Sequence, residues 1–105
     1  LKMNVSNKLR LIVILALFST STQADCVILL HGLARTSNSM DKLEKHLTEQ
    51  KYHVVNLGYA SREGTIESLA TRAINAGLEQ CDAKQKISFV THSLGGILVR
   101  QYLSQ

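Results

Sequence analysis

The 105-residue chain contains no proline and no tryptophan, and its aromatic residues make up only 5% of it. With aromatics this sparse there is no interleaving of aromatic and basic side chains of the kind that binds single-stranded nucleic acid. No two histidines or cysteines stand at metal-ligand spacing, so no metal is expected. Gly95-Gly96 lies inside a strand-to-helix junction and not in a phosphate-cradling loop, so no nucleotide cofactor is expected either. There is no internal repeat, low-complexity tract or linker, and the length leaves room for one small domain. The apolar run Leu11–Phe18 has eight residues, whereas a bilayer span needs about 20.

That run has a different meaning. Lys2, Lys8 and Arg10 precede it, and small polar residues from Ser19 to Ala24 follow it, with Thr22 and Ala24 at cleavage spacing. A basic start, a short apolar core and a small-residue exit form an export signal. Residues 1–24 are therefore expected to be a leader and residues 25–105 the mature domain, secreted or periplasmic; the alternative is a chain anchored in the membrane by an uncleaved leader. Asp25 stands where a lipid-modified Cys26 would need a small residue, so no lipoprotein is expected. The leader also explains the charge. Lys and Arg number 12 against 8 Asp and Glu, but three of the basic residues lie in the leader. Nine against eight remain, which points to no nucleic-acid partner.

After the leader, strands and helices alternate. Cys26–Leu30 (Cys-Val-Ile-Leu-Leu) is continuously apolar, as a strand covered on both faces must be. Val54–Leu57 and Ile87–Val90 are further strands. Met40, Leu43 and Leu47 recur at helical spacing, with Ser37 to Ser39 as cap candidates and Asp41 and Glu44 in the acid-favouring first turn. Thr65 is placed to cap a second helix whose inner stripe is Ile66, Leu69, Ala70, Ala73, Ile74 and Leu78, weakened or ended at Gly77. Leu98, Val99, Tyr102 and Leu103 mark a third. This alternation predicts an α/β fold, a parallel sheet with flanking helices joined by right-handed crossovers. Cys26 opens the first strand and Cys81 shortly precedes the third, so both fall at one edge of that sheet. A disulfide fits an exported chain; two independent thiols are the alternative.

Ligand sites in such sheets lie beyond the carboxyl ends of the strands. Two motifs occupy that rim. The third strand runs through Thr91-His92-Ser93-Leu94-Gly95-Gly96 into a helix, and a sharp bend of this pattern exposes its central serine as a candidate nucleophile. The Leu94 N–H then stands at a helix N-terminus, where unpaired donors favour negative charge. Directly after the first strand comes His31-Gly32-Leu33-Ala34-Arg35, whose glycine permits a tight turn and brings the Leu33 N–H to the rim. Two such amides converging on one oxygen are the minimum that stabilises a tetrahedral intermediate. His46 and His53, on the first helix and beside the second strand, are read as solvated or structural.

With both motifs in this order, residues 26–105 resemble the α/β-hydrolase superfamily, in its bacterial lipase-like and esterase-like branch. The resemblance implies Ser93 as nucleophile, Leu33 and Leu94 as oxyanion-hole amides, His31 and Gly32 as the loop that shapes that hole, and Thr91, His92, Gly95 and Gly96 as the elbow. His31 is then not the general base, and His92 fills a variable position. It further implies an exported serine hydrolase of carboxylic esters, lipids or thioesters working through an acyl-enzyme on a small-molecule or lipid substrate, without a cofactor. Acyl transfer on the same fold and a non-catalytic binding module are the other readings. Two departures stand out: Thr91 where glycine is commonest, and no Asp, Glu or His after Ser93, where the order of the family puts its acid and base. The expectation is a nucleophile-bearing front part of a larger hydrolase domain, inactive on its own.

Overall fold

The computed structural model describes residues 23–105; the leader assigned above lies, up to residue 22, outside them. Three strands, β1 (Cys26–Leu30), β2 (His53–Leu57) and β3 (Ile87–Thr91), form a parallel sheet in the order β2-β1-β3. Cys26 pairs with His53 on one side and Ile87 on the other, and Leu30 with Leu57 and Thr91. The helices are α1 (Asp41–Glu49), α2 (Ile66–Glu79) and α3 (Leu94–Leu103). The α/β architecture read from the sequence is the one observed.

Because successive side chains of a strand point to opposite faces, the apolar run of β1 serves two cores. Cys26, Ile28 and Leu30 join Val55, Leu57, Ala73 and Ile74 beneath α2. Val27 and Leu29 join Met40 on the other face, with Leu43 and Leu47 of α1 packed against them. Every residue of β1 is buried, which is why its sequence carries no polar alternation. α3 covers the α2 face through Leu98, which packs with Leu69 and Ala70. The chain leaves β1 towards β2 on one side and returns to β3 on the other. The carboxyl end of β1 is thus the point where connections diverge, and a crevice opens there.

Three local expectations are corrected. Ser37–Met40 is already wound as a 3-10 turn, so Ser37 to Ser39 lie inside that turn; α1 starts behind Met40 with no side-chain cap. Its first turn is held instead by Asn56 of β2, whose amide nitrogen lies 2.9 Å from the Ser37 carbonyl and 3.0 Å from Glu44 Oε1. Gly77 does not end α2. A Cβ at this position would stand 3.1 Å from Ile28 Cγ2, so the missing side chain lets the helix lie close on the sheet and continue to Glu79. Ile66 is 42% exposed because it opens α2 past the strands' carboxyl ends, and Leu103, in the last turn of α3, is 70% exposed.

Thr65 caps α2 as read, its hydroxyl accepting from the Ser68 N–H at 3.1 Å. Cys26 and Cys81 are disulfide-bonded, with Cα atoms 5.9 Å apart. The bond joins β1 to the end of α2 at the amino end of the sheet. Among the described residues no helix is long and apolar enough to cross a membrane.

Candidate functional site

Between β3 and α3 the chain has two residues, His92 and Ser93, in which to reverse direction. Ser93 absorbs the turn at φ 53°, ψ −115°. A side-chain-bearing residue at such a backbone angle costs about 1–3 kcal/mol and persists only where its surroundings over-determine it. Here they do. The His92 N–H donates to the Leu30 carbonyl at 3.1 Å, the Gly95 N–H to the His92 carbonyl at 3.1 Å, and the Gly96 N–H to the Ser93 carbonyl at 3.0 Å. The two glycines make the bend possible. A Cβ on Gly95 would fall 2.6 Å from the Leu30 carbonyl oxygen, and one on Gly96 would fall 3.1 Å from Thr91 Oγ1. The outcome is an exposed Ser93 at the mouth of α3.

The loop after β1 lies against this bend. A Cβ on Gly32 would meet His92 Nδ1 at 2.8 Å and Ser93 Cβ at 3.4 Å, so only a glycine lets the two segments touch. Beyond it the chain turns again: the Arg35 N–H donates to the Gly32 carbonyl at 3.2 Å, and Ala34 takes φ 59°. Leu33 sits in the middle of that turn with its side chain 56% exposed. Leu94 opens α3, where a backbone N–H has no partner within the helix. The structure thus brings His31, Gly32, Leu33, Thr91, His92, Ser93, Leu94, Gly95 and Gly96 to one rim.

His31 is buried, and both its ring nitrogens are engaged. Nδ1 lies 2.9 Å from the Gly32 carbonyl, and Nε2 lies 3.3 Å from the Tyr59 backbone N–H. One neutral tautomer, protonated on Nδ1, satisfies both contacts. The imidazole also stacks on the Tyr59 ring, with centroids 4.1 Å apart at 18°. His92, by contrast, is exposed and lines a cleft with Arg35, Ser39 and Met40. His46 meets Gln50 and His53 meets Gln85, both away from the rim.

Two residues that shape this rim escaped the sequence reading. Tyr59 donates its hydroxyl to the His31 carbonyl, and burial raises its pKa above the ordinary tyrosine value, which keeps the phenol protonated. Ser61, itself buried, accepts from the Ala34 N–H at 2.9 Å. Together they clamp the Leu33 turn from both sides. The available signal was position alone, since residues 58–65 follow β2 and so fall on the same rim.

Among the described residues no three metal-ligating side chains gather. The rim offers an exposed hydroxyl in a strained bend, two backbone amides nearby, and a loop fixed by neighbours. That set can stabilise a developing oxyanion beside an attacking alcohol. No curated protein and no solved structure matches the chain. The family described as "Putative serine esterase (DUF676)" matches it over residues 20–105, a stretch that includes all three strands, the Gly32 turn and the Ser93 bend, and the chain belongs to that family.

Proposed function

We propose that the protein is a serine esterase whose nucleophile is Ser93. The observation that carries this reading is the strained, exposed backbone of Ser93 in contact with the Gly32 turn. Ser93 Oγ attacks the ester carbonyl carbon, and the carbonyl electrons move onto oxygen. The Leu33 and Leu94 amides stabilise that oxyanion; collapse expels the alcohol, which takes up the proton, and leaves an acyl-enzyme. Water then attacks the acyl carbon and frees the acid and Ser93. Each amide of such a pair is worth about 3 kcal/mol of barrier.

The proton acceptor is a separate matter. His31 has both ring nitrogens occupied, and no Asp, Glu or His follows Ser93 in the 105 residues. The test therefore supplies a base. In buffer containing imidazole, a fluorophosphonate is expected to form one adduct, at Ser93, seen by peptide mass spectrometry and absent from Ser93→Ala. An adduct elsewhere, or none, would overturn the assignment.

The proposed compartment is the periplasm or the exterior. The basic-apolar-small order of residues 1–24 supports it, and so does the Cys26–Cys81 bond, because disulfides persist in oxidising surroundings. Amino-terminal sequencing of the exported protein should begin at Asp25; retention of Leu11–Phe18 in a membrane fraction would count against export.

A further inference from the structure

We infer that the esterase site is built for an ester carrying an anionic group, phosphate or carboxylate, held between Arg35 and Arg62; this rests on the Ser93 reading above. A shallow, open depression lies between the loop after β1 and the loop after β2, lined by Arg35 from the first and Arg62 from the second. Arg35 also lines the neighbouring cleft of about 410 Å³, shared with His92, the residue preceding Ser93. Arg35 thus belongs to both depressions, and the second is shared with the residue that precedes the proposed nucleophile.

Both arginines spring from fixed backbone. The Arg35 N–H is bonded to Gly32, and Ala34 beside it to Ser61. The loop carrying Arg62 is closed by the Glu63 N–H on the Ala60 carbonyl at 3.0 Å, and Arg72 donates to the Glu63 carbonyl at 2.9 Å. Among the described residues Glu63 is the one carboxylate in these two linings, against the two guanidiniums. Among the described residues Met40 is the one large aliphatic side chain in these two linings, with Leu33 exposed on the turn beside them. A long neutral acyl chain would need such side chains in contact with it, whereas a guanidinium fork matches the paired oxygens of phosphate or carboxylate.

The test measures binding without chemistry. Titration of the full chain with sn-glycerol 3-phosphate, glutarate or uncharged glycerol, followed by backbone amide NMR, should move the signals of Ala34, Arg35, Ser61 and Arg62 with the two anions only. The double variant Arg35→Gln, Arg62→Gln should weaken that binding about tenfold or more. Lys84→Gln, which removes one positive charge before β3 at the opposite end of the sheet, should leave it intact. Shifts that persist in the double variant, or that vanish equally in Lys84→Gln, overturn the inference. A monoacylglycerol phosphate binding more tightly than glycerol phosphate identifies a lipid headgroup as the source; equal binding identifies soluble phosphate esters. Ser93→Ala should bind these anions like the parent chain. Anion binding without any fluorophosphonate adduct at Ser93 would remove the esterase reading, and with it the role of this depression as a substrate site, while leaving the depression an anion site.

Discussion

At the amino end of the sheet the chain is tied down, whereas at the carboxyl end it is held under strain. Cys26 is bonded to Cys81, its N–H donates to the Lys86 carbonyl at 2.8 Å, and Gln85 reaches the Ala24 carbonyl at 2.8 Å. At the other end Ser93 takes φ 53°, ψ −115° without being glycine, and Ala34 φ 59°; at the amino end Lys51, in the turn before β2, also takes a positive φ of 73°. The same three strands join the two ends, so the disulfide and the strained Ser93 lie a five-residue strand apart. The serine geometry is held by the hydrogen bonds of His92, Gly95 and Gly96 around it, while the disulfide stabilises the fold from the opposite end.

The largest effect expected is at the tied end. Replacing Cys26 and Cys81 by alanine removes a cross-link that closes a loop with a sequence separation of 55, and loop-closure entropy makes this worth about 4 kcal/mol. Urea unfolding should show that loss, while Ser93 in the still-folded fraction keeps its fluorophosphonate adduct. Next comes Gly95→Ala, expected to cost about 3 kcal/mol. The new methyl would meet the Leu30 carbonyl oxygen, which already accepts from His92 and has no side-chain freedom with which to give way. Both stability and labelling should fall together. Ser93→Gly should separate them: relief of the positive φ outweighs the added chain entropy, so stability rises by about 1 kcal/mol while the adduct disappears. A destabilised Ser93→Gly would mean that the bend stores no strain.

The degree to which sequence reveals each end follows from what each is made of. β1 was legible because burial on both faces demands an unbroken apolar run, and Thr65 because a cap is a local pairing four residues long. Gly77 misled because propensity registers its flexibility and not the Ile28 side chain it must clear. Ser37 to Ser39 misled because small polar residues before a helix all resemble caps, whereas this stretch winds as a 3-10 turn and α1 starts behind it with no side-chain cap. At the rim, the contact between Gly32 and Ser93 follows from the rule that parallel strands gather their outgoing loops. Tyr59 and Ser61 do not follow from it: their hydroxyls bond to backbone groups of His31 and Ala34, which carry no residue-specific signal, and the stacking of Tyr59 on His31 pairs residues 28 apart.

Tyr59 gives the smallest and most discriminating comparison between the ends. Tyr59→Phe keeps the ring against His31 and the backbone contact to Nε2, and removes only the hydroxyl donated to the His31 carbonyl. Near neutral pH this should cost about 1 kcal/mol, the net worth of one hydrogen bond. Desolvation raises the pKa of Tyr59 above the ordinary tyrosine value. The folded state therefore holds the phenolic proton more tightly than the unfolded chain does. The contribution is complete below pH 10 and is lost as pH climbs through the folded value. The stability gap between parent and Tyr59→Phe should accordingly close in alkaline solution, while the gap for the Cys26 and Cys81 double variant, which involves no titrating group, stays constant. If the Tyr59→Phe gap is the same at pH 7 and above pH 10, the hydroxyl does not hold the loop in the way the structure shows.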